Sequence, residues 1–184
     1  MIEDKDFEYV RQFISGNENA FNLLVQKYQQ KIYWHARRML GNHMDADEVT
    51  QEVLIVLYNK LKSFNFKSSL YTWIFKITTN RSINQINKRK LKRFLFLEDS
   101  EYETLRDTQD LIADIDNKEK LKKLDKVLQE LPVKQREVFS LRNFDELSYE
   151  EISEITGKTV GGLKANYFHA LKKVTELMNQ DESK

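Results

Sequence analysis

The sequence has no cysteine, one proline and only five glycines in 184 residues. The absence of cysteine excludes disulfides, thiolate metal sites and a cysteine nucleophile. Sheet-rich folds need turn residues at regular intervals, and a chain with so little glycine and proline cannot supply them. We therefore predict an all-α fold.

A long apolar run is also missing. Hydrophobic residues make up 40% of the chain, but none of the runs approaches the roughly 20 apolar residues that a transmembrane helix requires. Residues 1–6 include three acidic residues and one basic residue, whereas a signal peptide would open with positive charge followed by an apolar stretch. We expect no membrane span and a cytoplasmic protein.

Features typical of enzymes are scarce. The chain has only three histidines and shows neither a nucleophile paired with a base nor a glycine-rich phosphate loop. His43 together with Asp45 and Asp47 could suggest a metal site, but Asp45 is better explained as a helix cap. We predict that the chain has no catalytic residue, no metal and no cofactor.

The charge is small in total but unevenly distributed. The formal net charge is +1, yet residues 76–93 hold seven basic residues and no acidic one. Residues 98–116 then hold eight acidic residues and one basic residue. Adjacent blocks of opposite sign predict a phosphate-facing surface followed by an acidic tether. A solvated helix face is the alternative interpretation of the basic block.

Helical periodicity organises the first half of the chain. Asn17 is a candidate N-cap for a helix that ends near Gly41, where the apolar spacing breaks. Asp45 with Glu48 then predicts a capping box at the start of the next helix. A polar loop precedes a third helix at about residues 71–89, with Trp73 either in its core or stacked on an unpaired base.

The most informative stretch lies near the C-terminus. Ser148 with Glu151 predicts a second capping box, Gly157 supplies a tight turn, and Thr159 can cap a further helix. A short helix, a turn and a second helix predict a helix-turn-helix, although a helical hairpin packed in a core is the alternative. In a DNA-binding protein the second helix would present Lys164, Ala165, Asn166, Phe168 and His169 to the major groove, with Lys172 nearer to phosphate.

Four segments in this order resemble the sigma-70 family of RNA polymerase sigma factors, in its extracytoplasmic-function (ECF) group. They are DADEVTQEV at 45–53, YTWIFKITTN at 71–80, LPVKQREVF at 131–139 and LSYEEI at 147–152. The resemblance covers nearly the whole chain. It implies two small helical domains, a region 2-like domain at 1–93 and a region 4-like helix-turn-helix domain at 118–184, joined by a flexible acidic linker at 94–117.

The resemblance also implies partners and roles. The expected partners are promoter DNA and RNA polymerase core, through the clamp coiled coil of its largest subunit and its flap. A further hypothesis is an anti-sigma factor. The polymerase contacts would be Asp47, Glu48, Gln51 and Glu52. The −10 element would be opened and held by Lys67, Ser68, Trp73, Lys76, Asn80, Arg81, Asn84 and Lys88, and the −35 element read by the residues from Lys164 to Lys172 named above.

Two other classes of protein remain open at this stage. One is a helix-turn-helix regulator that binds DNA as a dimer without polymerase, which would leave the acidic helix face and the tether without a role. The other is a helical interaction protein that does not contact DNA. The salt dependence of DNA binding would separate that protein from the rest, because phosphate contacts weaken steeply as salt rises.

Overall fold

The computed structural model describes residues 5–96 and 115–179, and every regular element within these ranges is helical. The all-α prediction is therefore confirmed. The first unit, residues 5–96, contains α1 (Lys5–Ile14), α2 (Glu18–Leu40), α3 (His43–Lys60), a 3₁₀ turn (Leu61–Ser63) and α4 (Leu70–Phe96). The second unit, residues 115–179, contains α5 (Ile115–Glu130), α6 (Val133–Asn143), α7 (Tyr149–Thr156) and α8 (Val160–Asn179).

Side-chain caps fix where the helices of the first unit begin. The predicted N-cap Asn17 is confirmed, because its side chain accepts the backbone N–H of Asn19 at 3.1 Å. The predicted Asp45–Glu48 capping box is wrong. Asn42, three residues before Asp45, caps α3 instead. It has the extended backbone of an N-cap, and its side chain accepts the backbone N–H of Asp45 at 2.9 Å.

The core of the first unit lies between α2, α3 and α4. Tyr28 and Ile32 of α2 are fully buried, as are Val53 of α3 and Phe75 of α4. Their helical spacing brings one apolar stripe from each helix to a common centre. Trp73 is only half-buried, one position away from the fully covered stripe of α4.

The second unit carries the predicted helix-turn-helix. Ser148 and Glu151 form a complete capping box, with the Glu151 N–H donated to Ser148 Oγ at 3.2 Å and the Ser148 N–H donated to Glu151 Oε2 at 2.8 Å. Gly157 ends α7 in the left-handed conformation at φ +69°, which a glycine adopts without steric cost. The Thr159 hydroxyl then accepts the N–H of Gly162 at the start of α8.

The two units pack against each other, α7 on α4 and both α5 and α6 on α2. One buried apolar cluster continues from Val10 in α1 to Leu163 in α8. The predicted linker, 94–117, is helical at both ends, because α4 continues to Phe96 and α5 begins at Ile115. The rest of that linker lies outside the described residues. Within the described ranges, no helix is long and apolar enough to cross a membrane.

Candidate nucleic-acid interface

The acidic face of α3 gathers the four predicted polymerase contacts on one side of a helix. Asp47, Glu48 and Gln51 are exposed, and Asp47 accepts the Gln51 side-chain amide at 3.0 Å. Glu48 accepts the amide of Gln85 at 3.1 Å, and Glu52 lies 3.3 Å from Arg81, so both connect this face to α4. These contacts leave the outer edge of the face to solvent and hold it at a fixed angle to α4.

Two exposed apolar side chains flank this acidic face. Met44 is 67% exposed and lies three residues before Asp47. Ile55 is 61% exposed and lies four residues after Gln51. At this spacing the four residues follow one stripe of the helix. Sequence reasoning missed Met44, which the same helical spacing would have found.

The loop before α4 is held rigidly. Ser69 caps the helix, because its hydroxyl accepts the Thr72 N–H at 3.0 Å. Asn65 accepts the backbone N–H of Lys67 at 3.1 Å, and the intervening Phe66 has a positive φ of 57°. Phe66 packs edge-on against Phe7 of α1 with ring centroids 5.3 Å apart. The side chains of the loop are therefore displayed from a fixed backbone.

A cleft of about 440 Å³ opens beside this loop. Four of the predicted −10 residues line it: Lys67, Ser68, Trp73 and Lys76. The Trp73 ring also packs against Phe64, with centroids 5.3 Å apart, so the indole is part of the packing as well as of the cleft wall. Its stacking on an unpaired base stays a prediction. The remaining lining residues, which the sequence interpretation did not single out, are Ser63, Phe64, Asn65, Thr72 and, from the second unit, Glu154.

The other predicted −10 residues lie further along α4. Asn80, Asn84 and Lys88 are exposed and follow Lys76 at intervals of four residues, so they extend the cleft as a polar stripe on one helix face. Arg81 lies to the side of that stripe, paired with Glu52 of α3. The structure thus brings seven of the eight residues onto one continuous surface and places Arg81 between this surface and the acidic face.

The outer face of α8 presents most of the predicted −35 residues. Lys164, Ala165, Phe168, His169 and Lys172 are exposed, and the Phe168 ring is 64% exposed. Asn166 differs from them because it is half-buried and donates its side-chain amide to the carbonyl of Gly162 at 2.7 Å. In this conformation the Asn166 amide is engaged with its own helix.

The residues considered for a metal site have other partners. His43 Nδ1 lies 2.9 Å from the Tyr33 hydroxyl, and Asp45 pairs with Arg89 and accepts the Gln85 amide at 2.9 Å. Among the residues that the structure describes, no group of three or more His, Cys, Asp or Glu side chains is arranged to hold a metal ion.

Comparison with known proteins identifies both units. The family models for sigma-70 region 2 and sigma-70 region 4 match residues 24–92 and 121–174. The ECF RNA polymerase sigma factor SigW of Bacillus subtilis is 33% identical over 162 residues, which cover 84% of this chain and 87% of that one. The RNA polymerase sigma-H factor of Pseudomonas aeruginosa is 28% identical over 188 residues, covering 97% and 96% of the two chains.

Solved structures share the fold. CnrH in complex with the cytosolic domain of CnrY has a TM-score of 0.72 at 23% identity, covering 97% of this chain and 99% of that one. The sigma factor RpoE in complex with the anti-sigma factor NepR from Bartonella quintana has a TM-score of 0.72 at 24% identity, covering 88% and 98%. The chain therefore belongs to the ECF group of the sigma-70 family, non-enzymatic factors that act with RNA polymerase in promoter-specific transcription initiation.

Proposed function

We propose that this protein binds RNA polymerase core through the acidic face of α3, opens and holds the −10 element in the cleft before α4, and reads the −35 element with the outer face of α8. The observation that carries this proposal is the cleft, because Lys67, Ser68, Trp73 and Lys76 converge on one cavity of about 440 Å³. Because the polymerase is the expected partner, we place the protein's action in the cytoplasm.

The cleft has the chemistry that an unpaired base requires. A half-buried indole offers a flat surface for stacking, and stacking accepts any base because every base has a π face. The two lysines can neutralise the flanking phosphates, and the hydroxyl of Ser68 can exchange hydrogen bonds with a base edge. Capturing a base in this way offsets the unstacking cost of a few kcal/mol, so opening needs no catalytic residue.

The acidic face has the chemistry of a docking surface. Asp47, Glu48 and Gln51 are exposed on a helix that is anchored to α4 through Gln85 and Arg81. An exposed acidic stripe with apolar side chains at both ends suits a basic helical partner that also offers aliphatic contacts. The clamp coiled coil of the polymerase is our proposed partner for this face, with the flap as the partner of the second unit.

The outer face of α8 suits duplex DNA. A recognition helix enters the major groove with side chains that extend beyond its own domain, and Lys164, Phe168 and His169 are exposed in this way. Lys164 can bond guanine or phosphate, whereas Phe168 can contact a thymine methyl group. Asn166 would have to exchange its bond to the Gly162 carbonyl for one to an adenine.

An anti-sigma factor is a further proposed partner. The related RpoE was solved with the anti-sigma factor NepR, and CnrH with the cytosolic domain of CnrY. The exposed apolar residues Met44 and Ile55 beside the acidic face would suit a partner that competes with the polymerase for α3.

The first test is a pull-down of purified bacterial core polymerase, comparing the native chain with the double variant Glu48→Lys, Gln51→Ala. We expect the variant to lose core binding, because a lysine at position 48 reverses the charge at the centre of the acidic face. Glu8→Lys is the matched control, since Glu8 is an exposed acid on α1, away from this face.

Two outcomes would contradict the proposal. If neither the native chain nor the variants bind core while duplex DNA is still bound, a DNA-binding regulator that acts alone is the better account. If Glu8→Lys weakens core binding as much as the double variant, the interaction follows overall charge and not the α3 face.

A further inference from the structure

An aromatic ring in the second unit contacts two cations. Tyr149, the first residue of α7, is half-buried. The Lys164 ammonium of α8 lies 5.6 Å from the centre of the Tyr149 ring, and the Arg142 guanidinium of α6 lies 5.3 Å from the same point. Both distances fall within the roughly 6 Å at which the electron-rich face of a ring attracts a cation. One ring thus connects side chains of three helices.

The Tyr149 ring is itself held by its neighbours. It packs edge-on against Tyr167 of α8 with ring centroids 6.1 Å apart, and Tyr167 stacks on Phe139 of α6 at the same separation. The Tyr167 hydroxyl donates to the Asn143 side chain at 3.1 Å. The α7 capping box, which begins at Ser148, fixes the backbone from which the Tyr149 ring projects. The ring is therefore a fixed platform for the two cations.

The two cations on this platform keep their charge available to an outside anion. Lys164 and Arg142 are both exposed, and in the part of the chain that the structure describes neither forms an ion pair with a carboxylate. Arg142 donates one N–H group to the carbonyl of Leu147 at 2.8 Å, which leaves further donors on its guanidinium. Two neighbouring cations without a carboxylate attract an anion, and the anion that DNA offers is phosphate.

The platform also lies where a DNA backbone would pass. In a helix-turn-helix the second helix enters the major groove, while the first helix lies across the sugar–phosphate backbone. Lys164 is in the N-terminal half of α8, the part that we place in the groove, whereas Arg142 is in the last turn of α6, just before α7. A duplex on the outer face of α8 would therefore meet Lys164 at its base edges and Arg142 at a flanking phosphate.

Holding Lys164 before DNA arrives makes its contact more favourable. A lysine has a flexible four-carbon stem, and ordering that stem on binding costs free energy. An ammonium that already rests on a ring has lost much of this freedom, so less is lost when the DNA complex forms. The ammonium has three N–H donors, and those directed away from the ring remain for guanine or phosphate.

We propose that Tyr149 is a positioning residue for the −35 element. Its ring holds Lys164 in the direction from which this lysine reads a base, and it holds Arg142 beside it as an additional contact to a DNA phosphate. This inference rests on the proposed function of α8, because without a duplex on that face the two cations have no anion to bind. The contact between the ring and the Lys164 ammonium does not rest on that function.

The contact can be measured without DNA by nuclear magnetic resonance of the full chain. Protons above the face of an aromatic ring resonate upfield, so the ε-methylene protons of Lys164 should be shifted upfield in the native protein and in Tyr149→Phe. In Tyr149→Leu they should return to the position of a solvated lysine. Leucine keeps apolar bulk at this site, and an unchanged circular dichroism spectrum shows that the variant folds. Unshifted Lys164 protons in the native protein would overturn the proposal.

The role in base reading can be measured with a pool of duplexes that are randomised over the −35 positions, selected by the full chain bound to core polymerase. Tyr149→Leu should lower the preference for the favoured base by about two- to fivefold at the position that Lys164→Ala also affects. Tyr149→Phe should keep this preference, and Tyr149→Leu should cause no further loss when Lys164 is already alanine. Phe144→Leu is the matched control, since it removes a ring that holds Arg38 of the first unit at 4.5 Å instead of Lys164.

The outcomes separate this inference from the proposed function. An undiminished base preference in a folded Tyr149→Leu, or an equal loss in Phe144→Leu, would overturn the positioning role while α8 still reads the −35 element. A native chain that selects no sequence, although its Lys164 protons are shifted, would instead contradict the proposed function of α8.

Arg142 has a test of its own on mixed-sequence duplex DNA. Arg142→Gln should weaken binding to all sequences about equally and lower its salt dependence by about one unit of slope, because one phosphate contact is lost. Glutamine keeps a donor for the Leu147 carbonyl, so the loop before α7 retains this bond. An unchanged slope would overturn the phosphate contact.

Discussion

The cleft before α4 and the outer face of α8 are two proposed DNA surfaces with opposite shapes. The cleft is concave, contains a half-buried indole, and is bordered by residues of both units. The face of α8 is convex, and its Lys164, Phe168 and His169 extend into solvent. A base removed from the duplex needs a pocket, whereas a paired base offers only its edge in the groove. The two shapes therefore suit single-stranded and double-stranded DNA, respectively.

The two surfaces also differ in how the fold supports them. The loop at the cleft is fixed by the Ser69 cap, by the Asn65 bond to Lys67 and by aromatic packing. The α8 face depends on the capping box of α7 and the left-handed turn at Gly157, which set the angle between two helices. A substitution at the cleft should change only the contacts made there, whereas a substitution at the Gly157 turn should change the orientation of the whole of α8.

The largest expected effect is at the cleft. Trp73→Ala should slow promoter opening by about 5- to 150-fold, because stacking on an aromatic ring contributes about 1–3 kcal/mol per base. A fluorescent base analogue placed in the −10 element measures opening by polymerase with this factor. On a promoter that is already unpaired at −10, Trp73→Ala should not slow opening. It should still hold the unpaired strand less tightly than the native protein does.

Trp73 also packs against Phe64, so its loss must be separated from a loss of folding. Trp73→Phe keeps an aromatic ring and should restore most of the opening rate. Lys60→Ala, an exposed residue that does not line the cleft, should leave opening unchanged. Slow opening in Trp73→Phe equal to that of Trp73→Ala would indicate that stacking is not the function of this residue.

A second prediction contrasts two lysines of α8. Lys164→Ala should reduce discrimination between −35 sequences, since a good contact to a base edge contributes about 1–3 kcal/mol. Lys172→Ala should weaken all sequences about equally and lower the salt dependence of binding by about one unit of slope. Lys172 Nζ lies 3.9 Å from a Glu176 carboxylate oxygen, and the lysine side chain is 68% exposed, so it can reach a phosphate.

Competitive binding of duplexes that differ at single positions of the −35 element measures both lysine variants. Neither should change opening on a template that lacks the −35 element, because α8 does not line the cleft. A uniform loss in Lys164→Ala would assign this lysine to phosphate and leave base reading to Phe168 and His169.

Much of the fold follows from local signals in the sequence. The caps at Asn17 and Ser148 were predictable because each side chain satisfies a backbone N–H only a few residues away. The start of α3 was predicted incorrectly, since both Asn42 and Asp45 can cap a helix and the choice depends on a distant partner. Arg89 and Gln85 of α4 bind the Asp45 side chain, which the local pattern does not reveal.

The surfaces were predictable only in part, because contacts between helices that are far apart in sequence leave no local pattern. Helical spacing was enough to group Asp47, Glu48 and Gln51, because neighbours on one helix face are fixed by the helix itself. Arg81 was grouped with the basic stripe, although its pairing with Glu52 depends on how α3 and α4 pack. The approach of Glu154 to the cleft depends on docking between units that are far apart in sequence, and no local pattern predicts it.

The smallest expected effect concerns how the two units unfold. Ser148→Ala removes one half of the α7 capping box and should cost about 1 kcal/mol. If the second unit unfolds alone, this loss should lower its Tm by about 4–8 °C, whereas a docked body of about 150–250 residues should lose only about 2–4 °C.

The chain's two tryptophans make the unfolding test specific. Trp34 and Trp73 both lie in the first unit, so tryptophan fluorescence reports on that unit while circular dichroism reports on both. In a docked protein, Ser148→Ala should lower the midpoints of both signals together. The reason is that unfolding of either unit removes the contact of Asp145 with His35 and that of Arg136 with the Met39 carbonyl, both of which join the two units. A fluorescence midpoint that stays fixed while the dichroism curve splits would mean that the two units melt independently. Asp145→Asn should produce that split pattern even with Ser148 intact, so the double variant separates the loss of the cap from the loss of docking.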